Sequence, residues 1–115
     1  MMVDAFLPAN NGSVTVAANA AAQAVAIPRG TVPQVDLQKA GGQYLLITNL
    51  GAAGGVTIFF ETSPGGSATA AVATSTPVAG GQSKVFRRGM SDDTISIIAS
   101  AAGPTNVVVT VGNGI

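Results

Sequence analysis

The 115-residue chain contains no cysteine, no histidine and no tryptophan. Without cysteine there is no disulfide framework and no thiolate chemistry; without histidine as well, the usual zinc, copper and haem sites cannot be assembled. Charge is scarce. Five basic and five acidic side chains make up 9% of the chain and sum to zero at neutral pH, against roughly 25% charged residues in an ordinary domain. This balance gives no electrostatic drive toward nucleic acid or an anionic membrane. Long apolar runs are missing too. The densest, Tyr44-Leu45-Leu46-Ile47 and Val107-Val108-Val109, fall far short of the ~18 residues that a spanning helix needs. The opening Met1-Met2-Val3-Asp4-Ala5-Phe6 lacks the basic start of a secretory signal.

What is present is small and apolar. Hydrophobic residues make up 47%, mostly as 20 Ala and 14 Val, with 15 Gly and 6 Pro between them. The length suits one domain with a thin core. Residues 1–12, interrupted by Pro8 and Asn10-Asn11-Gly12 and without periodicity, read as a flexible arm. From Ser13 onward, runs rich in Val, Ile and Thr alternate with Gly or Pro clusters, the spacing of an all-β sandwich or barrel. The runs are Ser13–Ala18, Gln23–Ile27, 31–38 (which holds Pro33), Gln43–Asn49, Val56–Thr62, Thr69–Ala79, Ser83–Arg88, Thr94–Ser100 and Thr105–Val111. Together they predict a single β-sandwich or jelly-roll-like domain of about eight short antiparallel strands over residues 13–115. The Ala-rich stretch Ala17–Ala26 leaves a short helix open as the alternative there. The tetrads Ala40-Gly41-Gly42-Gln43 and Ala79-Gly80-Gly81-Gln82 each precede a strand and read as turns that use positive φ.

Alternation separates the strand faces. Val56, Ile58 and Phe60 share one face of their strand; Ile95, Ile97 and Ala99 share another; Thr105, Val107, Val109 and Val111 a third. The opposite faces place Phe59, Ile98 and Val108 where a solvated sheet would carry polar side chains, and Leu46 adds to that set, with Tyr44 and Phe86 as further candidates. Three readings are open. These residues are scattered surface hydrophobes, or the N-terminal segment covers them, or they form a second face buried against another subunit.

Catalytic constellations are absent from the pattern. The carboxylates are Asp4, Asp36, Glu61, Asp92 and Asp93; only the last two adjoin, and neighbours on an extended segment point to opposite sides. Serine has no histidine to activate it, and Asp92-Asp93 alone is a weak calcium signal. The chain reads as noncatalytic, with no cofactor, metal or small-molecule substrate. The one charge cluster, Lys84, Arg87 and Arg88 followed by Asp92 and Asp93, has no aromatic platform for nucleic acid. It reads as a solvated strand end, or as a contact in which an arginine of one subunit meets an aspartate of another.

From residue 43 to 115 the chain resembles the decoration, or cement, proteins that tailed bacteriophages carry on their capsids. The resemblance is carried by Tyr44-Leu45-Leu46-Ile47-Thr48-Asn49 with its following Gly turn and by Val56–Glu61. It continues through Ser75-Thr76-Pro77-Val78-Ala79-Gly80-Gly81, Thr94-Ile95-Ser96-Ile97-Ile98-Ala99, and the ending Val107–Ile115. It implies a dimeric or trimeric virion subunit, made in the host bacterial cytoplasm, that binds the major capsid protein and stabilises joints between capsomers. On that reading Phe59, Ile98, Val108, Leu46, Lys84, Arg87, Arg88, Asp92 and Asp93 are the candidate contacts with capsid or sister subunits. The alternative is a carbohydrate-binding or adhesion module on a phage tail or fibre, for which the aromatic supply is thin.

Overall fold

The computed structural model describes residues 7–28, 44–89, 91–101 and 104–113. The expected run over residues 31–38 and the Ala40–Gln43 turn lie outside these residues. Among the described residues there are eight strands: β1 (Leu7–Ala18), β2 (Gln23–Ala26), β3 (Tyr44–Asn49), β4 (Ile58–Ser63), β5 (Thr76–Val78), β6 (Ser83–Arg87), β7 (Thr94–Ala99) and β8 (Thr105–Asn113). One sheet has the order β1-β8-β3-β6, the other β2-β7-β4-β5, and every pairing is antiparallel. The pairs β1·β8, β2·β7, β3·β6 and β4·β5 nest like a long hairpin rolled into two layers, which is the strand order of a jelly roll. Among the described strands, only β4 and β5 are consecutive within one sheet; every other consecutive pair lies in different sheets.

The core lies between the sheets, where alternation predicts it. Leu45, Ile47, Val107, Val109 and Val111 from the first sheet meet Ile58, Phe60, Ile95, Ile97, Ala99 and Val78 from the second, all buried. Phe86, half-buried on β6, sets its ring edge-on to Phe60 with centroids 4.7 Å apart and planes at 69°, an arrangement that the ring quadrupoles favour.

Three local expectations change. Residues 7–12 are not an arm: β1 begins at Leu7, and residues 1–6 lie outside the described residues. The reason is that β8 runs on to Asn113 and offers partners to Leu7 and Pro8; the Pro8–Gly12 break appears as a register shift between Pro8 and Ser13, not as a strand end. The Ala17–Ala26 stretch is no helix but the end of β1, a bend and β2, because Val16, Ala18 and Val25 pack on the core from extended backbone. The Thr69–Ala79 run contracts to Thr76–Val78, with Pro77 on the sheet edge, where its missing N–H is tolerated.

The turn before β6 shows why glycine stands there. Gly81 has φ +78°, and a Cβ on Gly80 would collide with the Ala52 carbonyl oxygen. This turn therefore sits against the Gly51–Gly55 loop. Asn49 closes this end of the sandwich. Fully buried, it donates from Nδ2 to the carbonyls of Val56 and Val78, both at 3.0 Å, and accepts the Gly51 N–H on Oδ1 at 2.9 Å. One amide thus ties β3 to the opposite sheet and to its own following turn.

Candidate interaction surface

The outer apolar residues separate into two groups on opposite sides of the molecule. Phe59 and Ile98 are direct cross-strand partners on the outside of the β2-β7-β4-β5 sheet, with Pro77 opposite Phe59 on its other flank. Leu46 and Val108 lie on the outside of the β1-β8-β3-β6 sheet, in adjoining rows: Leu46 pairs with Thr110, and Val108 with Thr48. All four are half-buried.

The outside of the β2-β7-β4-β5 sheet is partly roofed by its own chain. After β4, the short 3-10 turn Pro64–Gly66 sends the segment 67–75 back across the sheet. Serine oxygens pin it. Ser63 Oγ accepts the Ala68 N–H at 3.1 Å, Ser96 Oγ accepts the Ala70 N–H at 2.9 Å, and Ser75 Oγ accepts the Ala71 N–H at 3.0 Å while donating to Glu61 Oε2 at 2.8 Å. Ala70, Ser63, Ser75 and Ser96 are buried as a result. The serines of the alternating pattern thus fasten a loop, a role that alternation alone does not reveal.

No described segment crosses the outside of the other sheet in this way. Its rows are Ser13, Thr15 and Ala17 from β1; Asn106, Val108 and Thr110 from β8; Tyr44, Leu46 and Thr48 from β3; and Ser83, Val85 and Arg87 from β6. Hydroxyls bond along the surface, Ser13 Oγ with Thr110 Oγ1 at 2.7 Å and Ser83 Oγ to Thr48 Oγ1 at 2.9 Å. Satisfying one another, they bind water less strongly than free hydroxyls would. Arg87, at one border, is the only charge in these rows. Such a surface, with Leu46 and Val108 on its two central strands, Val85 on the β6 border and short polar side chains around them, suits burial against another protein.

The charge cluster divides. Lys84 and Arg87, three positions apart on β6, fall on opposite sides of the strand, and both are exposed. Arg88, Asp92 and Asp93 build a turn within the chain. Arg88 Nη1 donates to Asp92 O at 3.1 Å; Asp92 Oδ2 accepts the Thr62 hydroxyl at 2.6 Å and the Gly89 N–H at 3.3 Å. Asp93 Oδ1 accepts the Gly65 N–H at 2.7 Å and the Thr94 hydroxyl at 3.0 Å. These bonds, the Gly65 N–H foremost and the Thr94 hydroxyl next, hold the Asp93 carboxyl below its ordinary value of 3.8, with a smaller contribution from the Arg88 charge. Arg88 thus bonds within the β6–β7 turn, to a backbone carbonyl, while the Asp92 and Asp93 carboxylates join that turn to Thr62 and Gly65 at the end of β4.

No protein-family model, curated protein or solved structure matches the chain.

Proposed function

We propose that the protein is a noncatalytic structural component of a bacteriophage virion, a decoration protein seated on the capsid surface at joints between capsomers. The observation that carries this reading is the outside of the β1-β8-β3-β6 sheet: a broad, nearly uncharged surface, apolar at its centre, on a chain with too few charges to solvate it well. The jelly-roll strand order supports the reading by analogy, since viral capsid domains use it, and so does the resemblance over residues 43–115. Each copy would add modest buried area, and the stabilisation would come from many copies on a repeating lattice.

The direct test adds purified protein to capsid shells that lack it. Saturable binding with a raised shell melting temperature is the expected result. A protein that leaves both sedimentation and melting of the shells unchanged is not a decoration protein. Glycan binding by the isolated domain would point instead to an adhesion module.

A further inference from the structure

Two four-stranded sheets have four edges, and three of them carry features that keep an edge from pairing with another chain. β6 presents Lys84 and Arg87, β5 is three residues long with Pro77 at its centre, and β2 is only four residues long. The fourth edge, β1, has Pro8 and a register shift in its first half but differs from Ser13 onward. Its regular stretch Ser13–Ala18 pairs residue for residue with Thr110–Thr105 and contains neither charge nor proline.

The outward backbone groups of this edge follow from β8. The Leu50 N–H donates to the Asn106 carbonyl at 2.9 Å, so Asn106, and by alternation Val108 and Thr110, turn their backbone groups toward β3. Val107 and Val109 turn theirs the other way, toward their partners Val16 and Val14. The N–H and C=O groups of Ser13, Thr15 and Ala17 are therefore left on the outer edge. An independent contact agrees: Gln23 Nε2 donates to the Ala17 carbonyl at 2.8 Å, which requires that oxygen to face away from β8. The oxygen keeps a second lone pair. Among the described strands none pairs with this edge.

We infer that a second copy of the chain completes this edge, pairing antiparallel about Thr15. The side-chain order itself selects that occupant. Ser13-Val14-Thr15-Val16-Ala17 reads nearly the same in both directions, small, Val, Thr, Val, small. A two-fold axis beside Thr15 sets it opposite Thr15 of the partner subunit, Val14 opposite the partner subunit's Val16, and Ser13 opposite the partner subunit's Ala17. Thr15 and its mate exchange both backbone bonds, as do Ser13 and the partner's Ala17. No like charges meet, and threonine pairs are favourable across strands. On the inner side, Val14 is half-buried at the rim of the core and Val16 is already buried, so this pair adds little apolar burial and the backbone bonds of Ser13, Thr15 and Ala17 carry the contact. The contact is isologous and closes at two copies. Two β1-β8-β3-β6 sheets then form one continuous sheet whose outer surface is twice as wide. The pairing stands apart from the virion reading; where both hold, the wide surface is the capsid footprint.

Sedimentation of the purified full chain at micromolar concentration tests it. The expected species is a dimer. Thr15→Lys and Thr15→Glu, both at an exposed position, should each raise the dimer Kd roughly a hundredfold by opposing like charges across the axis. Mixing the two variants should restore dimers, and Leu46→Glu, on the sheet face, should leave dimerisation intact. A monomeric or trimeric wild type, a Thr15→Lys dimer with unchanged Kd, failure of the mixture to reassociate, or a dimer lost in Leu46→Glu would each overturn the inference. Shell binding is scored separately: a dimer indifferent to shells counts against the decoration role and leaves the edge pairing standing.

Discussion

Asn49 shows how much one polar residue carries in a core this small. Its buried side chain serves the buried Val78 carbonyl, the half-buried Val56 carbonyl and the Gly51 N–H. Asn49→Asp keeps the shape but replaces the donor with a carboxylate facing the Val56 and Val78 carbonyls. The expected loss is about 3 kcal/mol or more, since each buried unsatisfied group costs about 1–3 kcal/mol in a fold whose whole stability is of order 5–15 kcal/mol; urea denaturation at neutral pH measures it. Asp93 behaves differently because it is exposed and its bonds favour the ionised form. Its folded pKa lies below the unfolded value, so its contribution is present above that value and is lost as pH falls past 3.8 and through the folded pKa. Asp93→Asn retains an acceptor for Gly65 N–H but no charge. Its stability should therefore change less than wild type between mildly and strongly acidic pH, as thermal melts across that interval would show.

At the scale of elements, the segment 67–75 carries no strand and is held by bonds from its backbone N–H groups to serine oxygens. Its attachment depends on serine oxygens supplied by β4 and β7, not on a strand of its own. Ser96→Ala removes the acceptor for the Ala70 N–H while leaving the β2·β7 and β4·β7 ladders intact. The amides of Ala70 and Ala71 should then exchange at least tenfold faster, with global stability lowered by only about 1 kcal/mol; hydrogen exchange followed residue by residue separates the two effects. Equal acceleration across the core strands would mean that the segment is part of the global folding unit. The contrast with β1 is instructive: from Ser13 to Ala18 β1 is regular and well paired on one side, and on its other side the one printed bond to its outward backbone groups is that of Gln23 to the Ala17 carbonyl.

At the scale of the molecule, the two sheets present unlike surfaces: one is partly roofed by the segment 67–75, and no described segment crosses the other. If the latter face is the capsid footprint, Val108→Glu or Leu46→Glu should abolish shell binding while shifting the melting temperature of the free protein little, because both side chains lie outside the sandwich core. Binding should also depend weakly on salt, since Arg87 is the only charge in the rows of that face. Shell-binding curves at low and high ionic strength check this; a steep fall with salt would place the contact on the Lys84 and Arg87 edge instead.

Nine-per-cent charge, the Val, Ile and Thr runs and their Gly and Pro punctuation were enough to specify an all-β sandwich and, through two-residue alternation, the buried sides of β4, β7 and β8. These are local properties: each side chain's face follows from its own strand's pleat. Which strands neighbour one another is not local. The pairing of β1 with β8 spans nearly the whole chain, and the extension of β8 to Asn113 alone decides that residues 7–12 join a sheet. Likewise, nothing near Phe59 or Leu46 says that they fall on opposite sides of the molecule, or that Ser63, Ser75 and Ser96 converge on one loop. The scarcity of charge was legible from composition; that it leaves one sheet face nearly uncharged and one edge unguarded was decided only when the sheets were assembled.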